Sequence, residues 1–301
     1  MVKRSIFLGI IFLASTGLQA VDSSLGPISQ AFIRYTLKSF DYDQKDINTV
    51  ILAHSSEGFA FRPEFRHILV PFNDTDIIWL IQKLPAGERN RIITGMYNEG
   101  VMIDLDRMRY ANLRNKSHDT LSMLLSPLAE SNNCRAINRI YRSWQAGLLH
   151  EMGHFTNDLN FPRKQWFLGA TLFASAMSVK YGLPKGLNML AGSFIAGAVL
   201  NFFLSKRNEY YADKEVIKRA TLKNEPAILE AEGYLFKVAH VAMLIGPKKS
   251  KIINKIRRAV LKRIPILLEL MDVHPRHSVR AAYFQNAYEK LECTKYKIFR
   301  I

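Results

Sequence analysis

Apolar side chains in the middle of this chain recur at the spacing of a helix. Met152 follows Leu148 and Leu149 by four and three residues, and Phe155 follows Met152 by three more. Residues three and four apart lie on one face of a helix, so this spacing predicts an amphipathic helix over residues 144–159. Such a helix buries its apolar face and leaves polar side chains on the opposite face.

The pattern before residue 131 is mixed, and after it the pattern is helical. Alternating apolar residues on either side of a turn at residues 98–100 predict a β-hairpin over residues 92–105. A short apolar run at residues 68–71 predicts another strand. We therefore expect an α+β chain that is mostly helical, with a small sheet packed beside the helix predicted above.

Two apolar runs lie further along, at residues 166–179 and 187–204, and a break at residues 180–186 separates them. The second run is long enough to cross a bilayer, whereas the first is short for that purpose. The pair is predicted to form an apolar helical hairpin over residues 166–204. Burial in the protein, contact with a membrane surface and true spanning all remain open.

The chain of 301 residues is basic, with a formal net charge of +16. Residues 248–263 carry eight Lys and Arg and no acidic residue, which is typical either of a basic amphipathic helix that contacts a membrane surface or of a solvated helix face. The segment lacks interleaved aromatic residues and the signature of a nucleic-acid-binding fold, so no nucleic-acid partner is expected.

The N-terminus has the pattern of a secretory signal peptide. Lys3 and Arg4 precede an apolar stretch at residues 5–17, and Ala20 is a small residue suited to signal peptidase. Residues 1–20 are therefore predicted to be a cleaved signal peptide, with an uncleaved anchor as the alternative. The prediction places the protein outside the cytoplasm, in a periplasm or an extracellular space, with membrane association left open.

The chain contains two cysteines, Cys134 and Cys293. In an oxidising compartment they can pair, but two cysteines do not make a disulfide framework. Their separation also lacks the spacing of a metal site. Two separate buried thiols are the alternative.

The segment that carries chemistry is His150-Glu151-Met152-Gly153-His154, within the predicted amphipathic helix. Two histidines four residues apart share a helix face, so both imidazoles can bind one zinc ion. Glu151 then lies beside the metal, where its carboxylate can take a proton from a water that the metal activates. The alternative is a helix with two surface histidines.

A catalytic zinc ion needs a third protein ligand and an open position. Glu209 and Asp213 are four residues apart and share a face if their segment is helical. Glu209 can coordinate the zinc, and Asp213 can accept a hydrogen bond from a ligand histidine and fix its tautomer. A charged face on an exposed helix is the alternative for these two carboxylates.

Three segments together resemble the zinc metallopeptidase family that includes HtpX and the CAAX prenyl protease, with periplasmic and mitochondrial relatives. They are the His-Glu-x-x-His motif at residues 150–154, the Ser-Lys-x-x-Glu-x-x-Ala-Asp segment at residues 205–213, and the His-Pro followed by Arg at residues 274–280. Lys206 stands where the family has Arg. The resemblance spans residues 144 to about 290.

The resemblance implies a fold and a role for each of these residues. It implies a zincin-like core with one Zn²⁺ per chain, held by His150, His154 and Glu209. Asp213 would support the ligands, and a second pair of residues from a later helix, His274 and Arg280, would stabilise the oxyanion. The catalytic domain would cover residues 131–301, after a mixed N-terminal region at 21–130.

The function expected from these features is that of a zinc-dependent endopeptidase, with Glu151 as the general base and cell-envelope proteins or peptides as substrates. The alternative is a zinc-binding, chaperone-like or membrane-associated protein with little or no peptidase activity. Contact with a membrane would run through residues 166–204 and 248–263. The predicted hairpin at residues 92–105 would offer an edge strand to an extended substrate.

Overall fold

The structure is a computed structural model of the chain. It describes residues 23–55, 58–62, 66–103, 134–157, 183–245 and 277–298. Within these ranges the chain is mostly helical with one small sheet, as the α+β prediction required.

Four short strands form the sheet of the described region. They are β1 (Ser23–Ser24), β2 (Ile51–His54), β3 (Ala60–Arg62) and β4 (His67–Val70), in the order β1-β2-β4-β3. Strands β2 and β4 are parallel, whereas β1 and β3 pair antiparallel with their neighbours, so β3 lies at one edge. The strand predicted at residues 68–71 is confirmed as β4, which buries Ile68, Leu69 and Val70.

Four helices lie in the same part of the chain as these strands: α1 (Pro27–Ser39), α2 (Gln44–Thr49), α3 (Asp74–Lys83) and α4 (Ala86–Asn98). Asn73 caps α3 by accepting hydrogen bonds from the backbone N–H groups of Thr75 and Asp76. The adjacent Asp74 carboxylate accepts from the backbone N–H of Ser29 at 2.8 Å, at the start of α1. One short segment therefore satisfies the N-terminal donors of two helices and fixes them together.

The hairpin predicted over residues 92–105 is wrong, because residues 92–98 belong to α4. Ile92 and Met96 are four residues apart and fully buried on one helix face. Gly95 lies so close to the ring of Tyr35 that a Cβ atom would come within 2.1 Å of it. Gly100 has φ +83° and follows the last turn of the helix, so the apparent hairpin turn is a helix C-terminus. No strand occurs in the described part of this segment, which stops at residue 103.

Four longer helices make up the rest: α5 (Cys134–Thr156), α6 (Leu183–Leu222), α7 (Pro226–Ile245) and α8 (His277–Ile298). The helix predicted at residues 144–159 is confirmed over residues 144–156 of α5, which begins earlier than expected, whereas residues 158–159 lie outside the described residues. The helical pattern predicted after residue 131 is confirmed in the described helices α5, α6, α7 and α8. Cys293, in α8, is an exposed free thiol.

The apolar run at residues 187–204 lies within α6. The last residues of the predicted break, 183–186, form the first turn of this helix, where Pro184 is tolerated because the N–H that it lacks would have no partner there. Within the described ranges, no helix combines the length and the apolar character needed to cross a membrane. The first run, at 166–179, lies outside the described residues, as do the signal peptide at 1–20, the basic segment at 248–263 and His274.

Helix α5 joins the sheet region to the other long helices. Its Trp144 ring lies 4.6 Å from that of Phe72, which follows β4, and Phe32 of α1 packs against both Phe72 and Tyr141 at centroid distances of 5.8 and 6.2 Å. Burial of these large rings is the main force that holds α5 against the N-terminal region. Helix α5 also packs on α6 and α7, so it contacts both the sheet region and the later helices.

Candidate metal centre

Two helices bring three metal-binding side chains together. His150 and His154 lie one turn apart on α5, and their Nε2 atoms are 3.1 Å apart. Glu209 of α6 faces both rings, with Oε2 at 3.4 Å from Nε2 of His150 and Oε1 at 3.4 Å from Nε2 of His154. All three residues are at most 9% exposed, and together they could hold a metal ion.

These separations can be compared with what a bound ion requires. Nitrogen and oxygen ligands at about 2.0–2.1 Å from a tetrahedral ion lie about 3.3–3.4 Å from one another. The two Nε2 atoms, 3.1 Å apart, are close to that separation, and each lies 3.4 Å from a different carboxylate oxygen of Glu209. One ligand atom from each of the three residues lies within 4.8 Å of the others. Three ligands also leave a fourth tetrahedral position open. The donor set therefore fits a small divalent cation of the zinc type.

Close contact between the two helices makes this geometry possible. Gly153 of α5 lies against Ala212 of α6, and a Cβ atom at Gly153 would come within 2.7 Å of the Ala212 Cα. Any larger side chain at residue 153 would push the helices apart. The glycine sits one residue before His154, so the closest backbone approach occurs beside the metal-binding side chains.

Asp213 orients His150 from one turn beyond Glu209. Its Oδ1 lies 3.0 Å from Nδ1 of His150, so the ring can donate its Nδ1–H to this carboxylate. In a neutral imidazole this leaves Nε2 with its lone pair directed at the metal position. Burial opposes ionisation of Asp213, but the hydrogen bond from His150 and the charge of Arg280 lower the pKa of Asp213 below its usual value.

Arg280 of α8 completes this side of the site. Its Nε lies 2.8 Å from Oδ2 of Asp213 and its Nη2 lies 2.5 Å from Oδ1, which is a two-point ion pair. Its Nη1 lies 3.4 Å from Oε2 of Glu209. The guanidinium therefore neutralises and fixes two carboxylates of α6 at the same time.

The electrostatic balance of the pocket favours a positive charge. Burial alone would lower the pKa of the His150 imidazole, but its hydrogen bonds to Asp213 and Glu209 raise that pKa to about 10. A proton or a metal cation can supply the charge that these carboxylates attract. Because metal ligands must be deprotonated, the two compete for the same position.

Glu151 follows the first of the three ligands and is 5% exposed. Burial raises the pKa of its carboxyl, while nearby His150 and His154 act in the opposite direction. A carboxylate with a raised pKa is a better proton acceptor near neutral pH than an exposed one. The residue therefore has the environment expected of a general base.

The sheet lies on the other side of α5. Phe61 of the edge strand β3 packs edge to face on Phe155, with ring centroids 6.0 Å apart. Arg66, just before β4, places its guanidinium 5.9 Å from the Phe155 centroid. Nδ1 of His154 is buried and has no hydrogen-bond partner within the described region. This side of the metal-binding helix is thus formed mainly by aromatic contacts.

The structure brings together six of the seven residues that the sequence singled out: His150, Glu151, His154, Glu209, Asp213 and Arg280. Arg280 was expected to stabilise an oxyanion, but its guanidinium is engaged with Asp213 and Glu209. The sequence reasoning missed Gly153 and Glu232. A glutamate within the predominantly apolar helix α7 was the available signal for Glu232, which is 5% exposed.

Comparisons with protein-family models, with curated proteins and with solved structures found no match to this chain. The interpretation of the site therefore depends on its own geometry and chemistry.

Proposed function

We propose that the chain is a zinc-dependent endopeptidase with a zincin-like core. The observation that carries the proposal is the buried group of His150, His154 and Glu209, whose ligand atoms all lie within 4.8 Å of one another. Two His and one carboxylate with an open position are a ligand set that catalytic zinc uses. A buried carboxylate, Glu151, directly follows the first ligand. A purely structural site would be closed by four protein ligands and would have no use for such a carboxylate.

Each residue has a defined task in this proposal. A bound zinc ion supplies a Lewis acid that polarises the scissile carbonyl and lowers the pKa of the attacking water. The Glu151 carboxylate accepts a proton from that water and donates it to the leaving amine. Asp213 keeps the His150 ring in the tautomer that presents Nε2, and Arg280 holds the carboxylates of Asp213 and Glu209 in place.

An extended substrate would pair with the edge strand β3 rather than with the segment at residues 92–105. Among the described strands, β3 pairs only with β4, and Phe61 connects β3 to α5 next to His154. Exposed strand edges bind extended peptides through main-chain hydrogen bonds. Cell-envelope proteins are the proposed substrates, on the basis of the family resemblance and the predicted signal peptide at residues 1–20.

The test combines zinc content with casein cleavage for the purified wild-type chain and for Glu151→Gln. Glutamine removes the proton acceptor and none of the three ligands, so both proteins should hold one zinc ion per chain. Cleavage by Glu151→Gln should fall at least about 100-fold, because general-base catalysis contributes on that scale. Glu230→Gln is a matched control, since Glu230 is partly exposed and pairs with Arg139 at 2.8 Å.

The outcomes separate the proposal from its alternative. One zinc ion in each protein, with cleavage by the wild type and by Glu230→Gln only, supports the endopeptidase. One zinc ion in each with no cleavage by any of them supports a zinc-binding protein without peptidase activity. A folded wild type that binds no zinc contradicts the ligand set itself.

A further inference from the structure

One buried glutamate, Glu232, has no role in the site described so far. Glu232 belongs to α7 and is 5% exposed. Its Oε2 is buried, and no donor within the described part of the chain hydrogen-bonds to it. A buried carboxyl without such a partner is costly for folding, so its presence in the core needs an explanation.

Helix α7 packs on α8 near Arg280, the residue that pairs with Asp213 and Glu209. Phe236 follows Glu232 by one turn, and the guanidinium of Arg280 lies 4.0 Å from the Phe236 ring centroid. Gly233 of α7 lies against Ala281, the residue after Arg280, so the two helices are in close contact at this level. Glu232 therefore lies one helical turn from the Phe236–Arg280 contact and one residue from the contact of α7 with α8.

Four charged groups from three helices act electrostatically on Glu232. They are Arg280 of α8, His150 and Glu151 of α5, and Asp213 of α6. His277 of α8 also stacks on Phe236, with ring centroids 5.8 Å apart. Arg280 thus has a further carboxyl near it, in addition to Asp213 and Glu209, which it contacts directly.

We infer that Glu232 is a positioning residue of the metal centre that acts through Arg280. When ionised, its negative charge offsets the positive charge of the guanidinium, so that Asp213, His150 and Glu209 together attract a bound cation more strongly. When protonated, it leaves the full charge of Arg280 facing those carboxylates and weakens the attraction. This inference rests on the proposed zinc site.

The charge of Glu232 changes in the neutral pH range. Burial raises the pKa of its carboxyl to about 7, and the positive charge of Arg280 acts against this rise. Below that pH the Glu232 side chain is neutral, as a glutamine at this position would be. Above that pH the Glu232 side chain is negatively charged, whereas a glutamine stays neutral. The ionised carboxylate favours the bound cation, and by linkage the cation favours ionisation.

The experiment measures the zinc Kd of the wild-type chain, Glu232→Gln and Glu232→Asp by competition with a chromogenic chelator at about pH 6 and about pH 8, on either side of the pKa. At the higher pH the wild type should bind zinc about tenfold more tightly than Glu232→Gln. Substitution of a group that supports metal ligands typically weakens metal affinity by about 10- to 100-fold, and tenfold is the low end of that range. At the lower pH the two should agree. Glu232→Asp retains a carboxylate and should recover most of the difference.

Glu230→Gln serves as the control, because it removes the same charge from the same helix at a partly exposed position that pairs with Arg139. It should leave zinc affinity unchanged at both pH values. Circular dichroism of each variant confirms that it is folded. Glutamine has nearly the same shape as the protonated side chain, so the wild type at the lower pH is a second reference for Glu232→Gln.

Three results would overturn the inference. Equal zinc affinity of the wild type and Glu232→Gln at both pH values would show that the carboxyl has no influence on the metal. An equal loss at both pH values, or a loss that Glu232→Asp does not recover, would show that the side chain acts only through packing. A wild type that binds no zinc would remove the proposed function as well, whereas the first two results leave it intact.

Discussion

Helix α5, which carries the candidate metal ligands His150 and His154, makes different kinds of contact on its two sides. Towards α6 and α8, the His150 ring is fixed by Asp213, which Arg280 holds in a two-point ion pair inside the protein. Towards the sheet, the contacts next to His154 are aromatic, through Phe155. Buried charged groups with several partners resist displacement, whereas partly exposed rings yield more easily. The first side thus holds the candidate ligands in place, and in the proposed peptidase the second side would admit the substrate.

The largest effect expected from this comparison is that of Arg280→Met. Methionine keeps much of the volume but removes the two-point guanidinium partner of Asp213 and leaves this buried carboxylate with His150 alone, which costs about 3–5 kcal/mol of stability. Urea unfolding of the metal-free protein measures this loss. Lys237→Met, at an exposed position of α7, should stay within about 0.5 kcal/mol of wild type. If both variants were equally stable, the ion pair would not be what fixes this side.

The next largest effect is that of Asp213→Asn on metal affinity. An amide can present its NH₂ group to Nδ1 of His150 and so stabilise the wrong tautomer, with Nε2 protonated. Zinc affinity should fall about 10- to 100-fold, as measured by chelator competition. Glu215→Gln is the matched control on α6, because Glu215 pairs with Arg219 at 2.7 Å and should have no such effect. An unchanged Kd for Asp213→Asn would remove the distinction between the two sides.

The smallest effect is expected from Phe61→Leu on the side of the sheet. The substitution removes the edge-to-face contact with Phe155, which is worth about 0.5–1.5 kcal/mol of stability. Zinc affinity should remain that of wild type, while the KM for an extended peptide should rise because the edge strand is held less firmly. Peptide kinetics and zinc titration on the same preparation test both statements. A weakened zinc affinity would mean that the sheet also sets the geometry of the ligands.

The residues of the metal centre could be predicted where their relation is local in sequence. His150 and His154 are one helical turn apart, as are Glu209 and Asp213, and helix geometry alone places each pair on one face. Arg280 was expected near the metal from the family resemblance, but its pairing with Asp213 depends on how α8 crosses α6. Such a crossing has no signature in the spacing of residues along the chain.

The two failures have related causes. The apolar residues at 92–97 fit either an alternating strand or a helix, and long-range contacts decide between them: Ile92 and Met96 enter a common core, and Gly95 meets Tyr35 of α1. Glu232 could not be predicted as a buried residue, because its burial results from packing against α8, about fifty residues further along the chain. In both cases the outcome depends on a partner distant in sequence.

The contact between Gly153 and Ala212 has a consequence for transplanting this site into another protein. The two unspecified positions of the His-Glu-x-x-His motif are not equivalent, since Met152 enters the core and Gly153 touches the backbone of a second helix. If only the three ligands were copied onto two helices at ordinary separation, Glu209 would lie too far from the two histidines to share a metal ion with them. The portable unit is therefore the ligands together with a glycine and an alanine that face each other.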